Sequence, residues 1–559
     1  MVFRRRTALR SALVLGAAAV AGMTAGACGG GSHGGSGAGA KSNFSGSQLT
    51  TGTARGNLSS LTWYGDYRAP YSEDPLKTAD YPEETILGNV CEPLLRTSAD
   101  YSLHPGIAES WSQPDPLHLV FTLNPKATFS DGHAVTAADV AYSLLRNMDP
   151  NVASNFADSY AYVKTITATG PDQVTVAFTK PDYTFVNNMG ILAGAIVEKS
   201  FAQAAGQRFG SAQTGVMCSG PYTIASFDGT NTMVLKKNPH YWDASQQPLA
   251  ASVTFRFMSD PSAIANALTS GSLDGAFDLP PSVVTQLGRT AAGRLYIGGQ
   301  GSTTQNIDLI VSRLTGAFAD ARVRQAFSMA IDRAGIAKTI FSGAADPLYA
   351  VAGPGFWQTS QSSAAKAVYQ DAYQKLVRSP DTAAAAKLVR QAGATGETLS
   401  IAYAADSPMT AQIAQVLQQA GDAIGLKVNI VGLPDQQYGN LFIDPKARAG
   451  YDSFITINYL EFPQAVDMYA SYATKSGSQN FNGYTDPAVE RDLDAANATQ
   501  DPVKQAQLVT DAQAVVAKAL PWIPIVAPRA LVFENKAVTG APLTFSYMDG
   551  AWAAAIGAP

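Results

Sequence analysis

Alternation of apolar and polar positions marks the strands of this chain. In LHLVFTL (117–123), Leu117, Leu119, Phe121 and Leu123 alternate with His118, Val120 and Thr122, which predicts a half-buried strand with His118 facing outward. VTVAF (174–178), MVLKKN (233–238), VTFRF (253–257), VNIVGL (428–433) and SFITIN (453–458) read as further strands. A short strand is expected within 59–64, and a helix or strand over 86–95. Helical spacing takes over at Val323, Ala326, Phe327, Ala330 and Ile331, and again at Ile413, Leu417, Ala420 and Ile424. The two patterns meet in FSDGHAVTAADVAYSLLR (129–146). Ser130-Asp131-Gly132 is a turn, with Gly132 free to take a positive φ and Asp131 able to bond its own backbone. Thr136 caps the next helix with Asp139 three residues on, and Ala137, Val140, Ala141, Leu144 and Leu145 form its buried face. Long alternation of strands and helices predicts an α/β protein with more than one sheet. No repeat of solenoid period is present.

The N-terminus departs from this pattern. Arg4-Arg5-Arg6 precede the apolar run Ser11 to Ala21, which is shorter than the roughly 20 residues a membrane-spanning helix needs. Small residues Ala25-Gly26-Ala27 lead to Cys28, the arrangement of a bacterial lipoprotein signal whose cysteine is lipidated after cleavage. Ala25 stands where a large aliphatic residue is usual, so an ordinary signal-peptidase site is the alternative. Arg5-Arg6 also allows twin-arginine export. Residues 29–57, rich in Gly, Ser and Thr, are expected to be a coil holding a domain about 30 Å from its anchor. The late apolar stretch 514–533 carries Lys518, Arg529 and three prolines, so it is expected to be a helix end and an extended core segment rather than a span.

Composition narrows the class. With 559 residues, two or three folded units are expected. The net charge of -5 supplies no basic footprint for nucleic acid. Five histidines, at 33, 104, 118, 133 and 240, argue against a His-based metal or catalytic centre, and no cofactor is expected. A nucleophile-elbow serine, an H-E-x-x-H pair and a catalytic cysteine context are all missing, which argues against a hydrolase. Cys91 and Cys218 are either a disulfide or two buried thiols.

The order of motifs resembles the bacterial extracellular solute-binding proteins of family 5. Ala108-Glu109-Ser110-Trp111, Phe121-Thr122-Leu123, Phe129-Ser130-Asp131-Gly132 and Thr136 to Ser143 follow that family's signature. SGPYTIASFDGTNTMVLKKNPHYW (219–242), GSLDGAF (271–277), FADARVRQAFSMAIDRAGIAKTIFSG (318–343), NFNGYTDPAVERDLDAA (480–496) and LPWIPI (520–525) continue it in order. The resemblance implies a two-lobed periplasmic-binding-protein-like fold (type II, cluster C-like) with a subdomain inserted in the first lobe. It places lobe I at 58–96, 213–300 and 521–559, the insertion at 97–212 and lobe II at 301–520, after a signal at 1–27 and a lipidated tether at 28–57.

The same resemblance implies a monomeric lipoprotein on the outer face of the cytoplasmic membrane. It would hand short peptides to ABC permease subunits driven by a cytoplasmic ATPase. Peptide-binding members hold the ligand's amino group with an acid in a W-x-x-D-Y-x-x-P-like stretch. Here TINYLEFPQAVDMY (456–469) puts Tyr459 at the tryptophan, Glu461 as the nearest acid and Asp467 as a second, with Pro463 early. That departure keeps open a glycoside, siderophore-like or modified-peptide ligand, and a sensing role. Glu92 either lines the pocket or caps a helix; Phe356 and Trp357, in a Gly/Pro-rich loop, are candidates for an apolar wall. Metal-specific members use His-containing ligands, whereas His240 belongs to the Asn-Pro corner, so no metal is expected.

Overall fold

Strands form where alternation places them. In the computed structural model, which describes residues 48–559 except 79, 359 and 361, His118–Leu123 buries Leu119, Phe121 and Leu123 and leaves His118 in water. The export segment, Cys28 and the tether as far as residue 47 lie outside the described residues. At the 129–136 corner Gly132 has φ +93°, the His133 N–H donates to the Asp131 carboxylate at 3.0 Å, and Thr136 and Asp139 form a reciprocal capping box. Helix Ala137–Leu145 buries Ala137, Val140, Ala141 and Leu144. Leu145, expected on that face, is 41% exposed. Eight residues on from Ala137 it is turned about 80° off the stripe, whereas Leu144 is nearly in line with it.

Two large sheets organise the molecule. The first has seven strands in the order Gly293–Ile297, Leu531–Asn535, Gly275–Ala276, Leu61–Tyr64, Ser252–Arg256, Thr232–Lys237 and Tyr222–Phe227. Leu61–Tyr64 runs parallel to both its neighbours. The second has six, in the order Ala345–Pro347, Trp522–Pro528, Asn306–Val311, Ser453–Asn458, Thr398–Ala404 and Lys427–Leu433. Ala108–Asp115, His118–Leu123, Gln173–Phe178 and Val163–Ala168 make a separate antiparallel sheet inside the stretch expected as an insertion. Cys91 and Cys218 are joined by a disulfide with a Cα–Cα distance of 4.8 Å.

The chain passes from one large sheet to the other twice, at 298–305 and at 529–530. The crossings are laced together: the Gly298 N–H donates to the Ala530 carbonyl at 2.8 Å, the Thr303 hydroxyl to the Pro528 carbonyl at 2.6 Å, and the Ala530 N–H to Ser302 Oγ at 3.0 Å. Two expected limits therefore move. Residues 522–528, assigned above to the first lobe, are a strand of the second sheet. Residues 50–57, assigned to the coil, are pinned along the end of the chain by bonds from the Thr51 N–H to the Ala541 carbonyl (2.9 Å) and the Arg55 N–H to the Ala558 carbonyl (2.8 Å). Backbone pairing needs no apolar side chains, so composition could not reveal it.

Candidate ligand cleft between the two sheets

The acid expected to meet a ligand lies where the two sheets face each other. Tyr459 and Glu461 follow strand Ser453–Asn458 of the second sheet, and Glu84 lies on helix Tyr81–Leu87, which Asp80 caps beside the first sheet. The Tyr459 hydroxyl donates to Glu84 Oε2 at 3.1 Å, and its ring centroid lies 4.8 Å from that of Tyr81. Phe545 packs edge-on to both rings. Gln305 Nε2, from the first crossing, donates to the Tyr81 hydroxyl at 2.6 Å, and the Thr304 hydroxyl donates to the Leu460 carbonyl. The two sides are thus drawn together in a closed arrangement. At its rim Lys180 Nζ meets Asp494 at 2.6 Å and the Tyr183 N–H donates to the Asn497 carbonyl at 2.9 Å.

The groups that meet here are acidic. Glu84 and Asp549 are buried, and neither carboxylate oxygen of Asp549 has a hydrogen-bond partner. Burial, then the neighbouring Glu461 and Asp549, hold the Glu84 carboxyl well above the usual carboxylate range; burial also raises Glu461, and burial followed by Glu461 raises Asp549. Asp66 and Asp278 sit just past the carboxyl ends of the adjacent parallel strands Leu61–Tyr64 and Gly275–Ala276, where ligands of open α/β sheets bind. Both take left-handed backbone, with φ +90° and +49°. Burial, then Asp278, raises Asp66 far out of the carboxylate range, and burial pushes Asp278 up to about 7. Asp66, Asp278, Tyr459 and Glu461 are surrounded by protein yet each keeps accessible surface, as side chains around an internal space do.

The remaining candidates are placed elsewhere. Asp467 is in the first turn of helix Ala465–Ala473, accepts from the Gln464 amide, and is pushed up to about 7 by burial and then Asp182. Gln464 in turn accepts from Asn187 of the inserted stretch, so Asp467 lies at the seam between the two sides. Glu92 accepts from Arg96 Nε at 2.6 Å and Trp242 Nε1 at 3.1 Å, and Arg96 continues to Asp243 at 2.6 Å. That network anchors the Asn-Pro corner to the first lobe. Phe356 and Trp357 are not exposed: both are buried in a second-lobe core, where Trp357 packs against Tyr369 and Tyr373. Asp131, His133 and Glu198 gather at the surface with ligand atoms within 4.8 Å, and His133 lies 2.8 Å from Asp131. Sequence reasoning missed Asp66, Asp278, Glu84 and Asp549. The first two carried a signal, an acid directly after a short strand and before a Pro-containing turn, in WYGDYRAP and GAFDLPP.

Residues 102–480 match the family model described as bacterial extracellular solute-binding proteins, family 5 middle. The glutathione-binding protein GsiB of Salmonella typhi is 25% identical over 480 residues, covering 84% of this chain and 89% of that protein. The fold is that of the periplasmic binding proteins. DppA of Helicobacter pylori, solved with the peptide STSA, superposes with a TM-score of 0.75 at 20% identity over 90% of this chain and 98% of its own. AgaA of A. tumefaciens, solved with agropinic acid, gives 0.74 at 22% identity over 89% and 99%.

Proposed function

The chain belongs to the bacterial extracellular solute-binding proteins of family 5, and on that premise we propose that it is the receptor of an ABC importer, capturing short peptides between its two lobes. The observation that carries this reading is the meeting of Tyr459 and Glu461 from one side with Glu84 from the other. A ligand that touches both sides stabilises the closed form over the open one, and that difference in affinity drives hinge closure. The laced crossings at 298–305 and 529–530 serve as the hinge. Glu461 holds the ligand's ammonium group, Tyr459 supplies an aromatic wall, and Asp467 governs the seam. The receptor performs no catalysis, acts as a monomer, and stands on the outer face of the cytoplasmic membrane through lipidated Cys28. Permease subunits with a cytoplasmic ATPase take up what it releases.

A second reading, a non-peptide solute, is favoured by the departure of residues 459–463 from the peptide-binding pattern. Native mass spectrometry of the chain purified from cells grown in peptide-rich medium separates the two. Co-purifying masses that fragment as short peptides are expected, and Glu461→Gln abolishes their retention; a non-peptide mass overturns the peptide assignment and leaves the receptor. Cys28→Ala shifts the protein from the membrane to the soluble fraction.

A further inference from the structure

Three carboxyls, Glu84, Glu461 and Asp549, crowd one end of the cleft, and Asp66 faces Asp278 at the other. Tyr81 spans the two ends: its hydroxyl lies among Asp278, Asp80 and Asp66, and its ring rests on Tyr459, whose hydroxyl bonds Glu84. The Tyr547 hydroxyl also faces Asp278 and Asp66, and Glu84 lies close to it. Arg68, whose charge acts on Asp66, is paired with Glu83 at 2.7 Å and with Asp80 at 3.2 Å. Asp549 is fully buried with both oxygens unpartnered beside Glu461.

A purely structural role for such a set is poor physics. A buried carboxylate without partners costs several kcal/mol, and a half-satisfied polar network is worse than an apolar core. Closure makes matters worse, because it brings Glu461 from the second sheet's side against Glu84 and Asp549 on the first. Ionised, these carboxyls repel one another and oppose the closed form; protonation relieves that repulsion without ligand, and cations entering between them relieve it with the carboxyls ionised. Resting on the receptor reading above, we infer that the cleft takes a ligand with two cationic groups, ammonium or guanidinium, one held by Glu461, Glu84 and Asp549 and the other by Asp66 and Asp278. The rings of Tyr81 and Tyr459 form the wall between, where aromatic faces attract cations. A basic peptide and an oligoamine share this chemistry. In either case closure is licensed by the ligand's charge.

The test is titration calorimetry at pH 8 on the purified chain with Ala-Ala-Ala, Ala-Lys-Ala, Ala-Glu-Ala and spermidine. Ala-Lys-Ala is expected to bind at least about tenfold more tightly than Ala-Ala-Ala, and Ala-Glu-Ala not to bind, as close charge pairs at a desolvated interface require. Asp66→Asn and Asp278→Asn are expected to remove the lysyl advantage, so that Ala-Lys-Ala binds no more tightly than Ala-Ala-Ala to the same variant; asparagine accepts the left-handed backbone, so these variants fold. Equal binding of Ala-Ala-Ala and Ala-Lys-Ala overturns the inference and leaves the peptide receptor standing. Binding of spermidine with no peptide supports the dication and overturns the peptide reading. Failure of all four overturns both.

Discussion

At the scale of single residues the chemistry is set by carboxyls held away from water. Asp278, which faces Asp66, Asp80, Tyr64, Tyr81 and Tyr547, is pushed up to about 7, and Asp467 likewise. The folded protein then holds protons that the unfolded chain, titrating near 4, has released. Between about pH 4 and pH 7 the stability of the ligand-free protein therefore falls as pH rises, and these groups contribute no further change above that. Thermal melts without ligand should give a higher midpoint at pH 5 than at pH 8, and Asp278→Asn should shrink the difference. A cationic ligand acts in the opposite sense, since it needs the ionised carboxyls: its apparent affinity rises as pH climbs through 7. That Tyr459 and Glu461 follow a strand was legible, because SFITIN alternates right up to them. Glu84 was not, because its partner Tyr459 is 375 residues away.

At the scale of elements, local rules carried most of the information. Strands Gln173–Phe178, Thr232–Lys237, Ser252–Arg256, Lys427–Leu433 and Ser453–Asn458 lie within a residue or so of their alternating patterns. Helices Ala321–Ala330 and Pro408–Ala423 follow their apolar stripes. Helix Ala137–Leu145 begins at Thr136 because the cap satisfies two otherwise orphaned donors, the N–H groups of Thr136 and Asp139. Thr136→Ala should lower the free energy of unfolding in urea by about 1 kcal/mol, without altering ligand affinity. Leu145, Phe356 and Trp357 show the limit of such rules. Whether a large apolar side chain meets water depends on what the rest of the chain lays over it.

At the scale of the whole molecule, the two crossings at 298–305 and 529–530 join the large sheets. Gly301 has φ +74°, and a Cβ there would lie 2.9 Å from the Pro354 backbone and from Gln358 Cβ. Gly301→Val should therefore both strain the backbone and obstruct the crossing. Its radius of gyration with ligand, measured by small-angle X-ray scattering, should stay at the ligand-free value, whereas the unaltered chain contracts. The Cys91–Cys218 disulfide closes a loop across 127 residues and ties the helix-bearing stretch after Leu87 to the approach of strand Tyr222–Phe227. Its reduction should lower stability by about 2–5 kcal/mol in a denaturant titration.

Periodicity, turn residues and motif order determined by themselves the α/β class, the elements and the family, because these depend on neighbours within a few residues or on a chain-wide succession of local signatures. Tertiary structure alone decided the rest. It placed 522–528 in the second sheet, pinned 50–57 along the end of the chain, joined Cys91 to Cys218, and brought five carboxyls from distant parts of the sequence near one another. Asp66, Glu84, Asp278, Glu461 and Asp549 are ordinary acids in the sequence. Only their convergence away from water raises these carboxyls above the ordinary range, and no local pattern in the sequence encodes that.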